Sequence, residues 1–228
     1  MNIISIGGGG FSSNPNKLEI EEYILNISES KKPKVSFFAT ASGDSDFYIK
    51  KFYQAFNKLN CIPSHFSLFD LHNVKFKDYI LKQNIVYVGG GNIKSMICLW
   101  KEWGVIKILK EAYLNNGLIL SGMSAGSLCW FEDFVIGESY GSNTIFKGLN
   151  LINMVNIVHY DKVIVELEDL FFEAIRKSSN KNGIAIEDGV AVHFKGGVYN
   201  NIVKQQVKNN AYSFTLNKDD SLNKLLLK

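Results

Sequence analysis

The 228-residue chain is 46% apolar and 21% charged, a balance that fits one packed domain over residues 1–228 and excludes a long disordered tract. A formal charge of +3, from 25 basic and 22 acidic side chains, singles out no nucleic-acid partner. No stretch nears the roughly eighteen uninterrupted apolar residues of a membrane span, the Met1-Asn2-Ile3 start lacks the basic flank of a secretory signal, and Cys61, Cys98 and Cys129 are too scattered for a zinc site or a disulfide framework, so a cytoplasmic protein with reduced thiols is expected.

The first predicted element is a short strand, Asn2 to Ile6, that empties into Gly7 through Gly10. A helix around Leu18 to Ile27 follows, then a buried strand from Lys34 to Ala39 whose bulk has no helical period. The stretch Thr40 to Asp46 is rich in turn and capping side chains and starts a helix that runs to about Leu59. Pro63 breaks the chain before an apolar run at Phe66 to Leu71, and Asn84 to Val88 reads as a strand ending in Gly89-Gly90-Gly91-Asn92. Helices are expected from Ile93 past Trp100 and from Gly104 to about Asn115, after which Leu118 to Ser121 forms another strand. This alternation of strand, glycine turn and helix is the mark of crossover units on a mostly parallel sheet, an α/β fold. Beyond residue 130 come a polar, turn-rich segment from Gly137 to Gly148, a β-branched run at Met154 to Val158 and a helix from Glu166 to Lys177. Two strands, Gly183 to Ile186 and Val190 to Phe194, then flank the turn Glu187-Asp188-Gly189.

In Gly122-Met123-Ser124-Ala125-Gly126 a serine is flanked by glycine at both second neighbours, at the end of an apolar strand and the start of a helix expected to reach about Phe131. A sharp strand-to-helix turn needs small residues there, because side chains would collide with adjacent backbone, and it lifts the serine hydroxyl above the sheet. Ser124 is accordingly the candidate nucleophile. The Ala125 N–H, in the first helical turn, and those of Gly90 or Gly91, at the same rim of a parallel sheet, are candidate oxyanion donors. Neither glycine loop fits a nucleotide site: Gly7 to Gly10 lacks the dinucleotide spacing, and Gly89 to Ser95 lacks the Gly-Lys-Ser ending of a P-loop.

A serine nucleophile needs a base. Of the four histidines, His65 and His72 have no nearby motif, and His193 sits inside an alternating strand. His159 ends the Met154 to Val158 run and is favoured. Glu187 is the leading orienting acid because it follows the strand Gly183 to Ile186, with Asp133, Asp161 and Asp188 as competitors; a reversed order would pair His193 with Asp161 or Asp169. No compact histidine-carboxylate set suggests a metal, and no cofactor is expected.

Taken together, Phe38 to Ser42, Val86 to Asn92, Leu120 to Ser127 with Cys129 to Glu132, His159-Tyr160-Asp161 and Ala185 to Gly189 resemble the peptidase E and cyanophycinase family of serine peptidases, peptidase family S51, over roughly residues 34–194. The resemblance implies a three-layer α/β sandwich with a mostly parallel central sheet and a core similar to class I glutamine amidotransferases. It also implies Ser124 as nucleophile, His159 as base, an acid near Glu187 and an oxyanion loop at Gly89 to Asn92. The implied substrate is a short peptide, such as a dipeptide with N-terminal aspartate. Arg176 is the only arginine, so aspartate recognition would fall to it, to a lysine, or to donors such as Asn92, Ser139 and Thr144. An esterase or amidase acting on a non-peptide substrate, or an inactive ligand-binding protein, would use the same turns, and the sequence leaves monomer and homodimer open.

Overall fold

The computed structural model describes residues 1–68, 75–137 and 143–228. Strands β1 (Asn2–Ile6), β2 (Lys34–Phe38), β3 (Ile62–Phe66), β4 (Ile85–Val88) and β5 (Ile119–Met123) run parallel in the spatial order β1-β5-β4-β2-β3. They are joined by α1 (Gly10–Ser13), α2 (Glu19–Asn26), α3 (Asp46–Phe56), α4 (Phe76–Ile80), α5 (Ile93–Glu102) and α6 (Val105–Asn115). Pro63 lies inside β3 opposite Val35, where a break had been expected. Strand β3 is the sheet edge, the one place where a residue without an N–H costs no ladder bond.

After α7 (Ala125–Leu128) the chain forms β6 (Phe131–Ile136), β7 (Thr144–Lys147), β8 (Ile152–Val158), α8 (Val165–Lys177), β9 (Asn182–Ile186), β10 (Val190–Lys195), β11 (Val198–Lys204), β12 (Ala211–Leu216) and β13 (Leu222–Leu226). Helix α7 stops short of Phe131 because the carbonyls of Cys129 and Trp130 accept from Leu149 and Leu151 at 2.7 and 2.8 Å instead of continuing the helix. The strands divide between two sheets: β10 and β11 extend the first antiparallel beside β1, and β13-β12-β9-β8-β6-β7 make the second, with β6, β8 and β9 parallel.

Period-two burial assigns each strand face to a layer. Ile3, Val86, Val88 and Leu120 pack with Trp100 and Leu109 and with Ile152, Ile184 and Ile186 of the second sheet. Their alternates Ile4, Ile6, Ile85 and Tyr87 face Phe11, Ile20, Ile24, Phe52 and Phe56 on the opposite side. The outer face of the second sheet, Val155, Ile157 and Ala185, is covered by Phe171, Ala174 and Ile175 of α8. Helices therefore cover mixed sheets on both sides, as an α/β architecture requires. Among the described residues no helix is long and apolar enough to cross a membrane.

One buried charge interrupts the second of these cores. Glu21, fully buried on α2, accepts the Phe11 N–H at 2.8 Å and the Tyr87 hydroxyl at 3.5 Å, and burial pushes its carboxyl from 4.5 to about 7. A carboxyl raised on folding holds a proton that the unfolded chain has lost, so stability falls as pH climbs from 4.5 through about 7 and then levels. Glu21→Gln is expected to raise stability at pH 8 by up to about 3 kcal/mol, with the gain vanishing near pH 4.5. Urea unfolding of both proteins across that range measures it.

Candidate active site

The turn at Ser124 is a strained one. Its φ of 53° and ψ of −113° are rare for a residue with a Cβ, and they are held by the Ser124 N–H bonded to Ile6 O at 3.0 Å and by Ser127 and Leu128 N–H groups on its carbonyl at 2.9 and 3.0 Å. The flanking glycines have the steric reason the sequence suggested. A Cβ at Gly122 would stand 2.3 Å from Gly126 O, and one at Gly126 would stand 2.2 Å from Val88 O.

The end of β8 brings His159 to this turn. Its backbone is left-handed, φ 55°, and its Nε2 accepts the Ser124 hydroxyl at 3.0 Å. The ring's other nitrogen, Nδ1, lies 2.5 Å from Asp188 Oδ1. An ionised carboxylate can only accept, so Nδ1 carries the proton and Nε2 is left as the acceptor for serine. The His159 hydrogen bond, aided by the Lys162 ammonium on Oδ2, holds the Asp188 carboxyl down at about 2 against its partial burial. Asp188 is itself fixed at the backbone, its N–H donating to Asp161 Oδ1 at 2.9 Å and its carbonyl accepting from Asn209 at 2.6 Å.

Glu187, the leading acid by sequence, does not reach His159. Its carboxylate accepts the Asn210 N–H at 2.8 Å and the Tyr212 hydroxyl at 3.4 Å, because consecutive residues past the end of β9 direct their side chains to different sides. Of the competing acids, Asp133 is buried on β6 and pairs with Lys147 at 2.8 Å, and Asp161 serves the Asp188 backbone as described. His193 lies elsewhere in the first sheet, bonded to Tyr23 at 2.8 Å and Asn2 at 3.0 Å; His65 meets Tyr53 at 2.9 Å.

The oxyanion candidates separate. Gly90 lies against the serine, a Cβ there falling 3.3 Å from Ser124 Cβ, but its N–H donates to the Tyr48 hydroxyl at 3.2 Å. Gly91, at φ 139°, passes so close to Ala41 that a Cβ would sit 2.2 Å from its carbonyl, and it lines the cavity beside Ser124 together with Ala125. The Ala125 N–H, first in α7, has no acceptor within its own helix. Among the residues suggested for substrate recognition, Asn92 caps α5 through Oδ1 to the Ser95 N–H at 3.0 Å, and Arg176 at the end of α8 pairs with Asp220 at 3.5 Å. Thr144 sits on β7 opposite Ile136, and Ser139 lies outside the described residues.

Sequence reasoning missed the part played by Gly8. A Cβ on it would fall 2.1 Å from Asp188 Oδ1 and 2.5 Å from His159 Cε1, so the glycine run after β1 is the wall against which the histidine–aspartate pair rests. Gly8 also bridges Asp188 in parallel and accepts the Gly189 N–H at 2.8 Å. The available signal was the position of that run, at the C-terminal end of a strand beside the one that delivers Ser124. Gly8→Ala is expected to displace the pair and lower kcat about 100-fold, with little change in far-UV circular dichroism; steady-state kinetics on the purified variant measures it.

The chain matches peptidase family S51 over residues 3–202. The chain is 42% identical over 192 residues to the uncharacterized peptidase YgaJ of Bacillus subtilis (strain 168), a span covering 84% of this chain and 82% of that protein. Two solved structures share the fold. A peptidase from an acI-B1 Actinobacterium superposes with a TM-score of 0.68 at 17% identity, covering 98% of this chain and 93% of that one. A putative peptidase E protein from Listeria monocytogenes EGD-e gives 0.62 at 16% identity, covering 89% of this chain and 98% of its own. With the match extending over nearly its whole length, the chain belongs to peptidase family S51 and is a serine peptidase.

Proposed function

We propose that the protein hydrolyses short peptides through an acyl-enzyme formed on Ser124, with His159 as base and Asp188 as the acid that orients it. The hydrogen-bonded line from Ser124 Oγ through the imidazole to Asp188 carries the reading. His159 Nε2 takes the hydroxyl proton as Oγ attacks the peptide carbonyl, and Asp188 stabilises the resulting imidazolium. The new oxyanion is held by the Ala125 N–H, at the rim where the glycine loop of Gly90 and Gly91 faces the serine, a donor whose worth is greatest when the charge exists, in the transition state. His159 then passes its proton to the departing amine, and water repeats the sequence to free the acyl group. Tyr48, bonded to Gly90, fixes the shape of the loop facing the serine.

An N-terminal aspartate on the substrate would need a cation at this site. The lining of the adjoining cavity offers Lys162, whose ammonium is paired with Asp188. Fluorophosphonate labelling of the purified protein, with the adduct mapped to Ser124 by mass spectrometry, tests the nucleophile. Cleavage of short peptides but not of simple esters separates a peptidase from an esterase; an adduct on another residue would overturn the assignment.

A further inference from the structure

Beside Ser124 opens a cavity of about 360 Å³. Its size is near the lower end of the roughly 300–1,000 Å³ typical of small-molecule sites, suited to one amino-acid side chain rather than to an extended ligand. Ile93 of α5, Leu128 of α7, Ile136 of β6, Val158 of β8 and Ile164 and Leu167 at the start of α8 supply its walls. Five different elements thus converge on one space with aliphatic side chains. The charged member of the described lining, apart from what His159 gains on protonation, is Lys162, and its ammonium is spent on Asp188 Oδ2. A substrate carboxylate placed here would either compete with Asp188 for that ammonium, loosening the acid that orients His159, or remain unpaired against aliphatic walls, at a heavy desolvation cost. The guanidinium of Arg176 is engaged with Asp220 and lies outside the lining.

The cavity also has a definite position relative to the chemistry. Ser124 itself borders it, with Gly91 and with Ala125 of α7, the helix that begins immediately after that serine. A substrate carbonyl attacked by Ser124 therefore lies at the edge of the cavity, with its own residue's side chain within reach of it.

We propose that this cavity receives an apolar side chain on the residue whose carbonyl Ser124 attacks, so that the enzyme cleaves after leucine, methionine or phenylalanine in preference to aspartate. The inference rests on the reading of Ser124 as nucleophile given above, and the test keeps the two apart. Values of kcat/KM are measured for the full-length protein on Xaa-Ala dipeptides with Xaa leucine, methionine, phenylalanine, aspartate, glutamate and lysine, alongside fluorophosphonate labelling of the same preparations. The leucine, methionine and phenylalanine peptides are expected to exceed the aspartyl peptide by about 100-fold. Ile164→Arg, at a 54% exposed position that tolerates charge, and Leu167→Arg place a free cation in the lining. Both are expected to lower the leucine rate, raise the aspartyl rate and keep the fluorophosphonate reaction. Equal or faster cleavage of Asp-Ala, an apolar preference confined to the leaving residue, or no response to either arginine overturns the proposal while leaving the nucleophile intact. Labelling without cleavage of any peptide does the same, whereas absence of labelling at Ser124 removes the catalytic reading and this specificity with it.

Discussion

Ser124→Ala is expected to lower kcat about 10⁶-fold on any peptide the wild-type protein cleaves, the scale of loss when a triad nucleophile is removed. The variant keeps everything about the turn except the hydroxyl. Alanine has the same Cβ, so the unfavourable φ of 53° persists, as do the bonds from the Ser124 N–H to Ile6 and from Ser127 and Leu128 to its carbonyl. What disappears is the atom that donates to His159 Nε2 at 3.0 Å and attacks the substrate. Stability should accordingly stay within about 1 kcal/mol of wild type, so lost turnover cannot be put down to unfolding. Steady-state kinetics with thermal unfolding of both proteins checks this, and substantial activity in a contamination-free preparation of the variant would end the serine mechanism.

The second large effect separates two neighbouring acids. Asp188→Asn is expected to reduce kcat by about 10⁴-fold, because an amide facing Nδ1 can present its N–H and so favour the wrong imidazole tautomer, with the proton on Nε2 where serine must deliver its own. Glu187→Gln should change kcat less than about threefold, since its contacts are the Asn210 N–H on one carboxylate oxygen and the Tyr212 hydroxyl on the other, and a glutamine accepts the first through its oxygen while its NH2 donates to the hydroxyl oxygen. Kinetics on both variants decide which acid serves the base; a larger loss at Glu187 would reverse the assignment drawn from the geometry. The pH profile carries a related expectation. With its carboxyl held at about 2, Asp188 stays ionised throughout the working range, and any stability it contributes is present above its ordinary value of 3.8 and lost only as pH falls through about 2. Activity lost between pH 7 and 4 therefore reports a group other than Asp188.

Much of the local structure was legible because it is enforced locally. The short, nearly continuous apolar runs of β1, β2, β4 and β5 state in sequence that both faces are buried, and the crossover helices between them state that the strands are parallel. The glycines around Ser124 were readable for the same reason: a Cβ at either one meets backbone within the same turn or on the next strand. His159 was legible as the residue that ends a β-branched run at a sheet rim.

The acid was not legible, and the reason is the crossing between sheets. Strands β9 and β10 flank the turn at Glu187 to Gly189, but β9 pairs with β8 and β12 in one sheet while β10 pairs with β1 and β11 in the other. The turn thus spans the gap between sheets, and the direction of each side chain in it depends on contacts with Gly8, Asp161 and Asn210, which lie 180, 27 and 23 residues or so away along the chain. From the sequence alone came the glycine-flanked turn at Ser124, the parallel core and the family, because these rest on short-range sterics, apolar runs and the order of short motifs. That Asp188 and not Glu187 meets His159, the part played by Gly8 and the aliphatic character of the described cavity lining were set only when the tertiary structure brought distant segments together, since hydrogen-bond direction and cavity lining are properties of packing and not of spacing along the chain.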